Sequence, residues 1–204
     1  VFYDYKKEGI WQLGEEAAAA ANGQEPGDIK VQDVDGNGVI TTDDRIIYSQ
    51  RPDVTFGFNN TFNYKGFDLS VFLYARLGQW IAYDYNTTYR INALENGGNV
   101  DYWTPENPTN AFPRPNKSKS YTQVTYYSTL KYEDGSFFKI RDITLGYTFK
   151  PELLKHLNLS RLRVYATAKN FFTFSKIDNY DPEQGGSISF PMTKQLVFGL
   201  NVEF

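Results

Sequence analysis

From Pro191 to Phe204 the chain alternates between two kinds of residue. Met192, Leu196, Phe198, Leu200, Val202 and Phe204 make an apolar face, interrupted by Lys194. Thr193, Gln195, Gly199, Asn201 and Glu203 make a polar face, interrupted by Val197. A repeat of two residues is the repeat of a strand. This one is longer than the usual strand of about 5–6 residues. Strands in the wall of a membrane barrel run to about 9–11 residues, alternate a lipid side with a lumen side, and carry aromatics where the wall meets water. The stretch fits that description and ends on an aromatic residue.

The same alternation recurs upstream. Val54, Phe56, Phe58, Phe62 and Tyr64 alternate with Thr55, Gly57, Asn59, Thr61 and Asn63, and Lys65-Gly66 then reads as a two-residue turn. Phe67, Leu69, Val71, Leu73 and Ala75 alternate with Asp68, Ser70, Phe72, Tyr74 and Arg76. A third strand is expected over 137–149, with Ile143, Leu145, Tyr147 and Phe149 toward lipid and Thr144, Gly146 and Thr148 inside. A fourth carries Leu162, Val164, Ala166 and Ala168 opposite Arg163, Tyr165, Thr167 and Lys169. The connections alternate as well. Those at 65–66 and 150–160 are short, and those at 77–136 and 172–190 are long. A compact soluble domain seldom holds a connection so far beyond the usual 4–6 residues, roughly. Outer-membrane barrels have short turns on one side and long loops on the other. The expectation is therefore an all-β fold, with antiparallel strands of a transmembrane β-barrel and long extracellular loops. Five strands do not close a barrel, for which about eight is the practical minimum. Most of the wall, and the partners for the two outermost edges, must lie in chain other than these 204 residues.

Composition agrees. Aromatic residues make up 17% of the chain while mean hydropathy is negative, as expected where half of each strand faces water. No run of 18 or more apolar residues marks a membrane-spanning helix. A net charge of -3 without a Lys/Arg block argues against nucleic acid, and the absence of cysteine removes disulfides and thiolate metal sites. The first residue is Val and no signal peptide opens the chain, which suggests a removed leader or a piece of a longer polypeptide. Residues 1–53 read mostly as loop, with a helix-prone run at Glu15–Ala21 stopped by Asn22-Gly23.

Within that loop, Asp33–Asp44 fits a twelve-residue calcium loop. Asp33, Asp35 and Asn37 fall at positions one, three and five, Gly38 at the sharp turn, and Val39 where a backbone carbonyl is the ligand. Thr41 falls at nine, and Asp44 at twelve, where Glu is usual. Ca2+ is the expected ion. The alternative is an Asx-rich turn held by its own side chains.

Several ordered motifs carry a family resemblance. They are Gly27-Asp-Ile-Lys-Val-Gln-Asp-Val-Asp-Gly-Asn-Gly-Val-Ile, Arg51-Pro-Asp-Val-Thr-Phe-Gly-Phe and Tyr64-Lys-Gly-Phe-Asp-Leu-Ser. They continue with Ser136-Phe-Phe-Lys-Ile-Arg-Asp-Ile-Thr-Leu-Gly-Tyr, Lys169-Asn-Phe-Phe-Thr-Phe, Tyr180-Asp-Pro-Glu and Phe198-Gly-Leu-Asn-Val-Glu-Phe204. With these the chain resembles the C-terminal part of a SusC/RagA-family TonB-linked outer-membrane transporter of Bacteroidota. The resemblance implies a 22-stranded barrel in the outer membrane of a Gram-negative bacterium, with a plug, a TonB box and a SusD-like lipoprotein lid. It implies import of oligosaccharides or oligopeptides powered through TonB. Neither plug nor TonB box is in this sequence. The resemblance places residues 1–53 in an extracellular loop and 54–204 in five barrel strands with their connections. It also likens Phe204 to the terminal aromatic read by the insertion machinery.

Trp80, Tyr102 and Trp103, in the long connection with Tyr126 and Tyr127, are candidates to stack on substrate or touch the lid. Packing is the simpler reading, since aromatics supply area first. Arg76, Arg163 and Lys169 are expected in the lumen, beside partners such as Asp68, because Arg or Lys on the lipid face costs about 2–4 kcal/mol at the midplane. No catalytic constellation emerges. His156 stands alone in a short link, and Glu15-Glu16 and Asp43-Asp44 are solvated loop charge. The chain is not expected to be an enzyme, and a glycan-cleaving activity is the remotest reading. Two other rivals are a secreted calcium-dependent carbohydrate-binding β-sandwich, with its apolar faces buried in a core, and a passive porin.

Overall fold

The computed structural model describes residues 1–92 and 97–204. Strands follow the chain as β1 (Phe2–Tyr5), β2 (Lys7–Ile10), β3 (Ile29–Val31), β4 (Arg45–Tyr48), β5 (Val54–Tyr64), β6 (Phe67–Leu77), β7 (Trp80–Ala82), β8 (Tyr132–Asp134), β9 (Phe137–Thr148), β10 (Arg161–Ser175) and β11 (Gln195–Glu203). Helix is confined to short pieces, among them α1 (Glu16–Ala21) and α2 (Pro151–Leu154). No described helix is long and apolar enough to cross a membrane. The chain divides into two compact units.

One unit, residues 52–79, 134–184 and 189–204, holds the five long strands. They form one antiparallel sheet in the order β11-β10-β9-β6-β5, a meander in which each strand pairs with the next. The Lys65-Gly66 turn has φ of 48° and 90°, the left-handed pair that matches the twist of a tight hairpin. Phe62, Leu69, Leu145, Ala166 and Phe198 lie side by side on one face. On the other face Thr61, Ser70, Thr144, Thr167 and Val197 form the adjacent row, and Thr144 and Thr167 share a hydrogen bond of 2.8 Å.

Strict alternation carried through the third strand would set Lys139 and Arg141 on the apolar face beside Ile143 and Leu145. Two register shifts prevent this. Against β6, one residue of β9 is extra between Asp142 and Ile140. Against β9, one residue of β10 is extra between Lys169 and Phe172, where Asn170 takes a φ of 58°. Such a bulge re-aims every side chain beyond it. Ile140, Phe138, Phe172 and Phe174 therefore continue the apolar face, while Lys139 pairs with Tyr74 and Thr173 on the other. The fourth strand consequently runs on to Ser175. The fifth begins at Gln195 rather than Pro191, so Lys194 lies outside the strand and its apolar face has no interruption.

The other unit, residues 1–51, 80–133 and 185–188, is built from what reads in sequence as loop. Here β1 pairs with β4 and β2 with β3, both antiparallel. Ile10, Ile29, Val31, Trp103 and Leu130 form its buried core, with Tyr5, Ile40, Phe112, Val124, Tyr126 and Tyr127 packed around it. Stacked Tyr48 and Tyr132 (4.5 Å between rings) add a second aromatic centre. A long connection with this much aromatic area has the means to fold on itself.

Candidate functional site

The wall unit has two chemically opposed faces. On the apolar face Phe58, Phe62, Leu145, Leu196, Phe198 and Leu200 are all exposed, up to 77% for Phe198. A contiguous apolar surface of this extent marks an interface with something non-aqueous or with another protein. Aromatics collect at its two ends. Tyr64, Phe67 and Tyr147 form a row beside the Lys65-Gly66 turn, and Phe56, Phe138 and Phe174 share a row with Ala75 toward the opposite ends. The rows are eight residues apart on β5, Phe56 to Tyr64. That is roughly 26 Å of strand, comparable with the apolar band of about 25 Å in outer-membrane barrels.

The opposite face is polar and internally paired. Arg163 Nε donates to Asp68 at 2.9 Å across the intervening β9, and its Nη2 to the second carboxylate oxygen at 2.5 Å. The strand between is Gly146 at that point; a Cβ there would lie 2.5 Å from Arg163 Nη2 and from Asp68 Oδ1. Tyr165 leans over β11 in the same way, and Gly199 opposite it leaves room for the ring. Arg163 thus has the partner expected from sequence, and Lys169 lies 3.8 Å from Asp142. Arg76 Nε donates to Tyr74 Oη at 2.7 Å.

A cluster that sequence reasoning missed lies where the bulges turn Lys139 inward. Lys139 is fully buried, and its Nζ donates to both carboxylate oxygens of Asp181 (2.8 and 2.7 Å) and to Glu183 (2.7 Å). Arg141 holds the other Glu183 oxygen at 3.0 Å, and Thr173 Oγ1 reaches Asp181 at 3.3 Å. Two cations face two anions, and Pro182 between the anions is buried. The segment 176–184 is thereby strapped across the polar face. The signal was the Tyr180-Asp-Pro-Glu motif; what was missing was the register that brings Lys139 to it.

The acidic loop is well formed. The carboxylates of Asp33, Asp35 and Asp44 lie within 4.8 Å of one another. Asp33 accepts from the N–H groups of Gly36 and Gly38, both at 2.7 Å, and Asn37 Oδ1 accepts from Val39 N–H at 2.8 Å. Gly36 and Gly38 have φ of 74° and 84°, which the tight turn requires. Asp44 is fully buried and takes Val34 N–H on one oxygen and Thr41 N–H on the other, both at 2.7 Å. Those backbone donors, Thr41 first, hold its carboxyl below the usual carboxylate range. The loop ends in a short 3-10 turn, Thr42–Asp44, closed by a capping box between Thr41 and Asp44. Asp35, Asn37 and Val39 are exposed and Asp33 is half-buried. Oxygen-only donors in such an arrangement suit a hard cation.

The aromatic candidates part company. Trp103 is 4% exposed, its Nε1 donates to Gln12 Oε1 at 2.8 Å, and it packs in the core with Ile10 and Leu130. A side chain so enclosed supplies packing area. Trp80 is half-buried against the edge of Tyr48, 4.9 Å between rings. Tyr102 is exposed. Phe204 lies beyond β11 and is 94% exposed. His156 sits in a short 3-10 turn after α2.

No family model matches the chain. TonB-dependent receptors P3 and P26 of Formosa agariphila are each 31% identical to it, over all of this chain and 22% of each relative. The TonB-dependent receptor SusC of Bacteroides thetaiotaomicron is 31% identical over 84% of this chain and 17% of its own length. The chain thus spans about a fifth of the curated relatives it matches. Among solved structures, the RagAB peptide transporter matches all of this chain and 23% of its own, with a TM-score of 0.72 at 25% identity. The RagAB peptide importer in its closed-closed state gives 0.68 at 25% identity.

Proposed function

Because the chain belongs to the SusC/RagA family of TonB-dependent receptors, we propose that it is the C-terminal wall portion of an outer-membrane importer. The intact protein takes up oligosaccharides or oligopeptides, drawing energy through TonB and working with a SusD-like lipoprotein over its mouth. The observation that carries the reading is the chemistry of the two wall faces. One presents a continuous exposed apolar band flanked by aromatic rows. The other is hydroxyl-lined, with its charges paired. Lipid against the first and a wet lumen against the second satisfy both. A secreted β-sandwich would bury its apolar face in a core, and here that face is exposed. The named relatives are receptors and transporters, which supports transport rather than catalysis.

The part played by these residues is mechanical. The sheet supplies a wall in which Arg163 is tied to Asp68 and Lys139 to Asp181 and Glu183. Residues 1–53 belong to an extracellular loop of the family, and Tyr102, in the long connection, is one of the exposed aromatics available for contact with substrate or lid. The loop 33–44 holds Ca2+ through Asp33, Asp35, Asn37, the Val39 carbonyl and, from beneath, Asp44. Calcium there would stiffen the loop and bring no reactive chemistry. Extracellular modules work with dissociation constants of about 10⁻⁴–10⁻³ M, and the replacement of Glu by Asp at the last position suits that weak range.

Uptake of labelled oligomers by cells carrying the full-length receptor tests the proposal. Loss of uptake on removing TonB is expected. Uptake unchanged without TonB would leave the passive porin as the better reading.

A further inference from the structure

The bulge in β10 has left a strand edge without a partner. β11 pairs with β10 only from Arg161 to Lys169, whereas β9 follows β10 as far as Ser175. Residues 170–175 therefore have a strand on one side only. Among the described residues no backbone hydrogen bond joins them to the segment that returns to β11; the one link there is Asn170 Nδ2 to the Thr193 carbonyl, 3.1 Å. Alternate N–H and C=O groups of this stretch point away from β9, and such groups demand partners.

Beside that edge lies a cavity of 570 Å³, within the range of small-ligand sites, about 300–1,000 Å³. Its floor is β10 from Asn170 to Ser175, one wall is Ile177–Asp181, and the other carries Met192 and Lys194. The wall at 177–181 is anchored at one end, where buried Lys139 holds Asp181. Two opposite charges stand on its rim. Asp178 and Lys194 are both exposed, and neither forms an ion pair among the described residues. Phe171 and Tyr180 supply apolar area between them.

We propose that this cavity binds a short peptide, laid as an added strand on the free edge of β10, with its ammonium end toward Asp178 and its carboxylate end toward Lys194. A strand edge recognises main-chain amides at a fixed spacing. A neutral oligosaccharide offers neither that spacing nor two opposite end charges, so the peptide is the better fit. The assignment rests on the importer reading and narrows its substrate to oligopeptides at this point of the wall.

The test uses the full-length receptor with a photo-crosslinking residue at Asn179, and the same residue at Leu200 as a control on the apolar face. The probes are tetra-alanine, its N-acetylated and C-amidated form, tetra-alanine with alternate amides N-methylated, and maltotetraose. Labelling at position 179 by tetra-alanine is expected, weakened about fivefold by capping both ends and by Asp178→Ala or Lys194→Ala, and abolished by N-methylation. Maltotetraose should not compete. Labelling no stronger than at Leu200, equal labelling by the N-methylated peptide, or competition by maltotetraose would each overturn the site. Labelling that persists in a receptor with no TonB-dependent uptake would retain the site and reject the importer reading. Uptake without labelling would do the reverse.

Discussion

At the residue scale, one glycine and one aspartate show how little space the fold leaves. Gly146 lies under the Arg163–Asp68 pair, and an added methyl would meet both partners. Gly146→Ala should destabilise the intact barrel by about 1–3 kcal/mol, read as a lower denaturation midpoint; an unchanged midpoint would mean the pair bends away freely. In the acidic loop, Asp44 is the buried carboxylate. It satisfies the N–H groups of Val34 and Thr41 from a buried position, whereas Asp35 is exposed. Asp44→Ala should lower amide protection at Val34 and Thr41 on the order of tenfold, and Asp35→Ala much less. The pH dependence has a definite sign. The folded-state pKa of Asp44 is depressed below its ordinary value of 3.8. Its contribution to loop order is therefore fully present above that value and disappears as pH falls through the lowered one. In calcium-free buffer, protection of the two amides, corrected for intrinsic exchange, should hold at neutral pH and fall on strong acidification. Loss already at pH above the ordinary value would contradict it.

At the element scale, the strap 176–184 and the bulges form one device. Without the extra residues in β9 and β10, Lys139 would fall on the apolar face; with them it meets Asp181 and Glu183. Lys139→Met leaves two half-buried carboxylates without their main cation, and breaking a pair whose cation is buried costs up to about 3–5 kcal/mol. The expected readout is protease cleavage within 176–184 of the assembled receptor, with the wall strands still protected. Resistance equal to the parent would show that Arg141 alone suffices. This is also where the sequence stops being legible. The five strands, the Lys65-Gly66 turn and the Arg163–Asp68 pairing follow from a period of two and from turn chemistry. A one-residue bulge reverses that period, and nothing local to Arg141 or Asn170 marks it beforehand. The strands of three or four residues in the other unit are shorter than any periodicity can register. Trp103 looked like its exposed neighbour Tyr102 because adjacent aromatics carry no sign of which one faces the core. The spacing of the acidic loop was readable because each position there has a separate geometric duty.

At the scale of the whole molecule, the central claim is that β5, β6, β9, β10 and β11 are staves of a membrane wall, with lipid on one side and water on the other. It implies an asymmetry between neighbours in sequence: Leu145→Arg should cost about 2–4 kcal/mol in assembled barrel, while a polar substitution at the adjacent Thr144 should be tolerated. The most direct measurement is a nitroxide scan along β11 of the full-length receptor in bilayers, from Gln195 to Glu203, with accessibility to oxygen dissolved in lipid and to a water-soluble nickel complex. Leu196, Phe198, Leu200 and Val202 should favour oxygen, and Val197, Gly199 and Asn201 should favour nickel, in strict alternation. Accessibility without a period of two, or uniform exposure to nickel, would contradict the account.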